Sequence, residues 1–209
     1  MSRIVFLDTE TTGLPKYRKI NALNGPDNWP DIVSVAWAVY EKDGTHVHSK
    51  YSVIKPNGWL IPSESIKIHG ITLEFAEQNG RPLRDVLEEL RVDLEKADRV
   101  VAHNIEFDKN VLFNAYKWRL DINPWHVWPE IEICTMIMSE PELRIPSTFP
   151  TTYRPYKPPT LTELYRATFF EDPTGQHNSQ KDVEILCKIY WKRWPPRSTF
   201  KSEEEIVKL

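Results

Sequence analysis

The sequence predicts an α/β domain built on a mixed five-stranded sheet, with the second strand antiparallel and helices on both faces. Three observations lead there. Short apolar runs alternate with stretches of helical periodicity. Two strand-like runs flank an Asp43-Gly44 turn. The chain has 209 residues, 40% of them apolar, enough to bury roughly 70% of the extended surface without disulfide or metal staples.

Ile4-Val5-Phe6-Leu7 is an unbroken apolar run, the pattern of a central strand covered on both faces. Ile32 to Tyr40 is β-branched and aromatic, and Val47, Tyr51 and Val53 follow at even spacing, which predicts an antiparallel hairpin. Pro82 opens a helix whose Leu83, Val86, Leu87, Leu90, Leu94 and Ala97 share one face. Val100-Val101-Ala102 reads as a short strand, Phe107 to Leu120 as a helix, and Glu130 to Thr135 as a fifth strand with Ile131 and Ile133 on one face. The prolines from Pro141 to Pro159 predict an extended loop. Thr160-Leu161-Thr162-Glu163 has capping-box spacing and starts a short helix. A last helix turns Val183, Leu186, Ile189 and Tyr190 inward, the domain closes at about residue 195, and residues 196–209 form a tail.

Composition excludes several functions. With 27 Lys+Arg against 30 Asp+Glu the formal charge is -3, which argues against coating polyanions through bulk positive charge. Cys134 and Cys187 show no C-x-x-C spacing and read as reduced thiols. No apolar run is long enough to span a bilayer and no signal segment precedes the first strand, so the expectation is a cytoplasmic protein without a membrane partner.

Three polar constellations carry chemistry. Asp8 and Glu10 leave the first strand on the same side, because side chains alternate in an extended chain. A lone D-x-E is more often a solvated strand end; its functional reading is a pair bridged by a hard divalent cation, Mg²⁺ or Mn²⁺. His103-Asn104-Ile105-Glu106-Phe107-Asp108 follows the fourth strand, where open α/β sheets gather ligands, although Asp108 is also an ordinary helix N-terminal acid. His177 and Asp182 converge only if the histidine sits on the loop before the last helix, which Asp172-Pro173-Thr174-Gly175 favours.

In this order the three segments resemble the DEDDh 3′–5′ exonucleases, the family of the proofreading subunit of bacterial replicative polymerase. Phe6 through Leu14 matches the first motif, Ala102-His103-Asn104 with Phe107-Asp108 the second, and His177 with Asp182 the third. The resemblance covers about residues 3 to 190. Ile68-His69-Gly70-Ile71-Thr72 is similar to a segment of the proofreading group, while Cys134-Thr135-Met136 replaces an acid common there. Asn178 stands where the sister group carries tyrosine, so the histidine subfamily fits.

The resemblance implies a ribonuclease H-like fold and a two-metal phosphodiester hydrolysis. It assigns Asp8, Glu10 and Asp182 to one ion, Asp8 to a second, Asp108 to an outer position, and His177 to proton abstraction from the attacking water. Thr11, Thr12, Gly13 and Leu14 would line the terminal nucleotide, with Asn104 and Phe107 near the phosphate or sugar. Thr9, His69 and His103 complete the expected substrate contacts, His69 being equally readable as an exposed turn residue. Trp118, Trp125 and Trp128 with His126 are read as packing residues first and base-stacking residues second. Arg144, Arg154, Lys157 and Arg166 make residues 141–166 locally basic, a candidate for backbone contacts.

The expected activity is 3′-end hydrolysis of single-stranded DNA, releasing nucleoside 5′-monophosphates, with a polymerase or other replication protein as a partner. The alternatives are an exoribonuclease of the same chemistry and a non-catalytic nucleic-acid-binding module. The intact acids speak against the last.

Overall fold

The spine of the sheet is β1 (Arg3–Thr11), flanked by β2 (Ile32–Glu41) and β4 (Ala97–Ala102). In this computed structural model the described residues are 3–151, 154–175 and 177–196. With β3 (His46–Val53) and β5 (Ile131–Cys134) the sheet has the order β3-β2-β1-β4-β5. β2 runs antiparallel to both β1 and β3, whereas β4 and β5 run parallel to β1.

Strand parity sorts the core. Val5 and Leu7 face α3 (Leu83–Leu94) and α4 (Ile105–Asn114), where Val86, Leu87, Leu90, Val111 and Leu112 close the larger cluster. Ile4 and Phe6 face α7 (Ser179–Arg193) and pack with Val183, Leu186 and Tyr190. Each fully buried Leu or Phe contributes roughly 1.5–3 kcal/mol, and a one-residue slip would reverse every side chain of β1, so its register is firmly set.

Between these elements lie α1 (Ser63–His69), α2 (Leu73–Asn79), α5 (Thr135–Leu143), a ribbon of β6 (Pro146–Thr151) and β7 (Arg154–Tyr156), and α6 (Leu161–Phe169). The capping box of α6 is present, with Thr160 and Glu163 bonding reciprocally.

Several expectations are corrected. β1 does not end at Leu7; it pairs with β2 through Thr11, so Asp8 and Glu10 lie within a strand. The helix expected from Phe107 begins at Ile105, and its last part, Ala115–Arg119, widens into a π-helical turn. Ala97 belongs to β4, not to the preceding helix face. The proline-rich stretch is not one loop: Pro141 sits in the last turn of α5, where only one intrahelical bond is forgone, and later prolines occupy a two-stranded ribbon. Ile131 is 46% exposed because β5 is an edge strand, while Ile133 packs inward beside the α7 cluster.

Trp125 and Trp128 pack edge-on against Phe113, with centroids 4.9 and 5.5 Å away. In the basic segment Lys157 pairs with Glu163, Arg166 with Asp172, and Arg144 donates to the Pro141 carbonyl, so these cations are already engaged. The side chain of Arg154 and the tail from residue 197 lie outside the described residues. Cys134 and Cys187 are free thiols. Among the described residues no helix is long and apolar enough to cross a membrane.

Candidate active site

The parity that sorts the core also distributes the acids. Asp8 and Glu10 continue the Ile4/Phe6 side of β1 toward α7, whose first turn carries Asp182. Carboxylate oxygens of Asp8, Glu10 and Asp182 lie within 4.8 Å of one another. Thr9 points the opposite way, toward α4, and there it holds Asp108. The Thr9 amide donates to Asp108 Oδ1 at 3.0 Å and its hydroxyl at 2.8 Å. Asp108 is only 3% exposed, so these two bonds orient its carboxylate.

Crowding and burial act together on this cluster. Burial, then the charges of Asp108, Asp182 and Glu10, push the Asp8 carboxyl well above its ordinary range. Burial followed by Asp182 and Asp108 lifts Glu10 to about 7. Asp182 is raised to about 6 by burial, against the lowering effects of His177. Asp108 is raised by burial, opposed by the Thr9 bonds. Four acids held this way, all offering hard oxygen donors, match the chemistry of a divalent cation site, because bound positive charge removes the repulsion.

The loop before α7 brings up the third segment. Asn178 caps the helix, its side chain accepting from the amides of Gln180 and Lys181. His177 stands just outside the helix at φ 62°, and its amide donates to Asp182 Oδ2 at 3.1 Å. His177 is therefore on the loop and exposed, and its charge acts on the Asp182 carboxylate.

The glycine turn after β1 is fixed by Thr12, whose amide donates to the Asp31 carbonyl and whose hydroxyl accepts from the Asp31 amide. Thr11 Oγ1 donates to the Gly13 carbonyl at 2.7 Å. Gly13, at φ 147°, occupies backbone space that side-chain-bearing residues rarely adopt. Beyond it Leu14, Asn104 and Phe107 line one cleft of about 180 Å³ together with Trp29. Asn104 takes the left-handed conformation (φ 72°) ahead of α4.

Both ring nitrogens of His103 and one of His69 are engaged within the protein. His103 Nε2 lies 3.0 Å from the Pro159 carbonyl and must donate to it, so Nδ1 accepts from the Thr135 hydroxyl at 3.0 Å. Burial holds its pKa down at about 4, leaving a neutral ring that ties β4 to α5 and the approach to α6. His69 is not an exposed turn residue: it is 8% exposed in α1, with Nδ1 accepting from the Ile71 amide. Its Nε2 has no hydrogen-bond partner among the described residues.

The profile of the exonuclease family typified by RNase T matches residues 5–190, spanning all three acidic segments. The chain belongs to this exonuclease family. Solved exonuclease I structures share its fold. An exonuclease I structure that suggests how processivity is achieved superposes with a TM-score of 0.68 at 17% identity, over 93% of this chain and 42% of that one. E. coli exonuclease I in complex with a dT13 oligonucleotide gives 0.69 at 17% identity, over 93% and 42%. The exonuclease I of Methylocaldum szegediense gives 0.68 at 18% identity, over 93% and 41%. The chain thus spans less than half the length of these proteins. Their common architecture is the ribonuclease H-like fold expected from the motifs. No curated protein matches the chain in sequence.

One support of this acidic site was not anticipated. Ser34, opposite Glu10 in the β1–β2 register, lies with its Oγ 2.9 Å from that of Ser179, and both residues are fully buried. This bond pins the N-terminus of α7, and with it Asp182, to the sheet. The available signal was a single serine inside the apolar run Ile32–Tyr40.

Proposed function

We propose that the chain is a metal-dependent 3′–5′ exonuclease acting on single-stranded DNA. The observation that carries this reading is the Asp8, Glu10 and Asp182 cluster with Asp108 beside it, in a member of an exonuclease family. Asp8, Glu10 and Asp182 would hold one Mg²⁺ or Mn²⁺, and Asp8, with Asp108 in an outer position, a second. Bound there, the two ions supply charge stabilisation for an in-line phosphodiester displacement. His177 accepts the proton of the attacking water. Leu14 packs against the terminal base, Asn104 and Phe107 of the same cleft lie near the scissile phosphate or sugar, and the Thr11-Thr12-Gly13 turn brings backbone close to the nucleotide. The product is a nucleoside 5′-monophosphate. The exonuclease I structures with dT13 and dA16 oligonucleotides support DNA as the substrate. We assign the activity to proofreading or repair, with a polymerase or other replication protein as the partner class.

The test is release of label from 3′-labelled single-stranded DNA and RNA of matched sequence, with Mg²⁺, with Mn²⁺ and with chelator. Metal-dependent release of mononucleotide from DNA is expected. Much faster loss from RNA overturns the substrate assignment, and undiminished release in chelator overturns the mechanism.

Thr9→Val keeps the β-branched shape in β1 but deletes the hydroxyl bond to Asp108. A supporting partner of this kind typically costs roughly 10–100-fold in metal affinity or activity. The expected result is a rightward shift of the Mn²⁺ activation curve within that range, with the fold retained by circular dichroism.

A further inference from the structure

Three depressions adjoin one another through shared lining residues, starting from the cleft beside the glycine turn. The Leu14–Phe107 cleft shares Leu14 and Trp29 with a second depression of about 340 Å³, which also contains Lys16. The second shares Arg119 with a third of about 610 Å³, whose walls come from the segment after β3, the start of α3 and the end of the π-helical turn.

The chemistry of this trail departs from the net acidity of the chain. No acid lines the third depression, whereas Lys55 and Arg84 are exposed there without an acidic partner among the described residues. Trp118 presents a partly exposed indole held in place by its Nε1 bond to the Ala22 carbonyl, 2.7 Å, and Lys117 sits 5.0 Å from its ring centre. In the second depression the acids are Asp27 and Asp31, and Arg119 neutralises Asp31 through two bonds, so Arg119 is a wall rather than a free cation.

We infer that this trail carries the strand on the 5′ side of the bond to be cut, as single-stranded nucleic acid. Cations that track a backbone beside an aromatic face are what sequence-tolerant single-strand binding requires, and a duplex would offer no open base to Trp118. Lys16, Arg84 and Lys55 take phosphates; Trp118 takes an unpaired base. The inference rests on the exonuclease reading and adds a second binding region to it.

The test compares kcat/KM on a thymidine dinucleotide, which reaches only the first cleft, with that on a thymidylate dodecamer, for the native chain and a Lys55→Ala/Arg84→Ala double variant. Both side chains are exposed, so folding is not at stake. The dodecamer-to-dinucleotide ratio is expected to fall by about tenfold or more. The log–log salt slope of dodecamer binding should become shallower by about 0.7 for each phosphate that is no longer neutralised. Trp118→Ala should lower the ratio as well, and Trp118→Phe should restore most of it. An unchanged ratio and slope, or an equal fall on both substrates, rejects the track while leaving the exonuclease reading in place. Failure of the native chain to cut either substrate rejects both.

Discussion

Asp8→Asn should end nucleotide release and, in metal-free protein, raise the melting temperature. The two effects have one cause. Asp8 sits among Glu10, Asp108 and Asp182, and its carboxyl is pushed up by burial first and by those three charges next. A carboxyl whose folded pKa exceeds its unfolded value favours the fold fully only below the unfolded value, and that contribution is lost as pH rises through the folded one. The stability gain of the variant over the native chain should therefore be absent near the ordinary carboxylate value of about 4 and grow as pH rises above it, because burial and the neighbouring charges hold the folded carboxyl well above that value. His103, with its pKa near 4, pulls the other way, since its neutral ring favours the fold as pH rises toward the ordinary histidine value. It does so in both proteins and drops out of the difference. Each kcal/mol of relieved repulsion appears as roughly 2–4 °C for a chain of this length. Mg²⁺ or Mn²⁺ should raise the melting temperature of the native chain, as any ligand of the folded state does, and should have little effect on Asp8→Asn. The activity loss should well exceed the roughly 10–100-fold cost of losing an outer support. A variant that is stabilised yet still cuts DNA would mean that the cluster is a relic of the fold and not its catalytic centre.

Much of this was legible because the decisive signals are local. Alternation along β1 fixes which side Asp8 and Glu10 leave from, and the same alternation sends Thr9 toward α4. The Asn178 cap and the Gly175 turn set where α7 begins, so His177 falls outside it and Asp182 one turn in. The capping box at Thr160 is likewise written in four consecutive residues. What escaped depends on partners distant in sequence. The hydrogen bonds of His103 reach Thr135 and Pro159, 32 and 56 positions away, where no local pattern records them. The Ser34–Ser179 bond joins residues 145 apart. α1 and α2 are seven residues each, too short for a periodic face, and only the Thr72 cap and Gly70 at φ 74° mark their limits. Proline rules alone could not place Pro141, because a helix tolerates it in a last turn where tertiary packing holds the remaining residues.

His177→Asn should separate the two services of one residue. The main chain of His177 orients Asp182 through the amide bond to Oδ2, and it does so from a left-handed conformation at φ 62°. Asparagine is among the residues that adopt that conformation most readily, so the turn, the amide bond and the carboxylate geometry should persist. Alanine is more strained in the same backbone, and a loss of activity in His177→Ala would mix strain with chemistry. With asparagine only the imidazole is removed. If it accepts the proton of the attacking water, kcat should drop by roughly 10²–10⁴-fold, the usual worth of a positioned general base. KM and the metal-induced rise in melting temperature should stay close to native. Added imidazole should recover part of the lost rate, because His177 is exposed and its place is open to a small base from solvent. Loss of the metal-induced rise together with activity would instead make His177 a positioning residue acting through Asp182, and activity within a few-fold of native would remove it from the chemistry altogether.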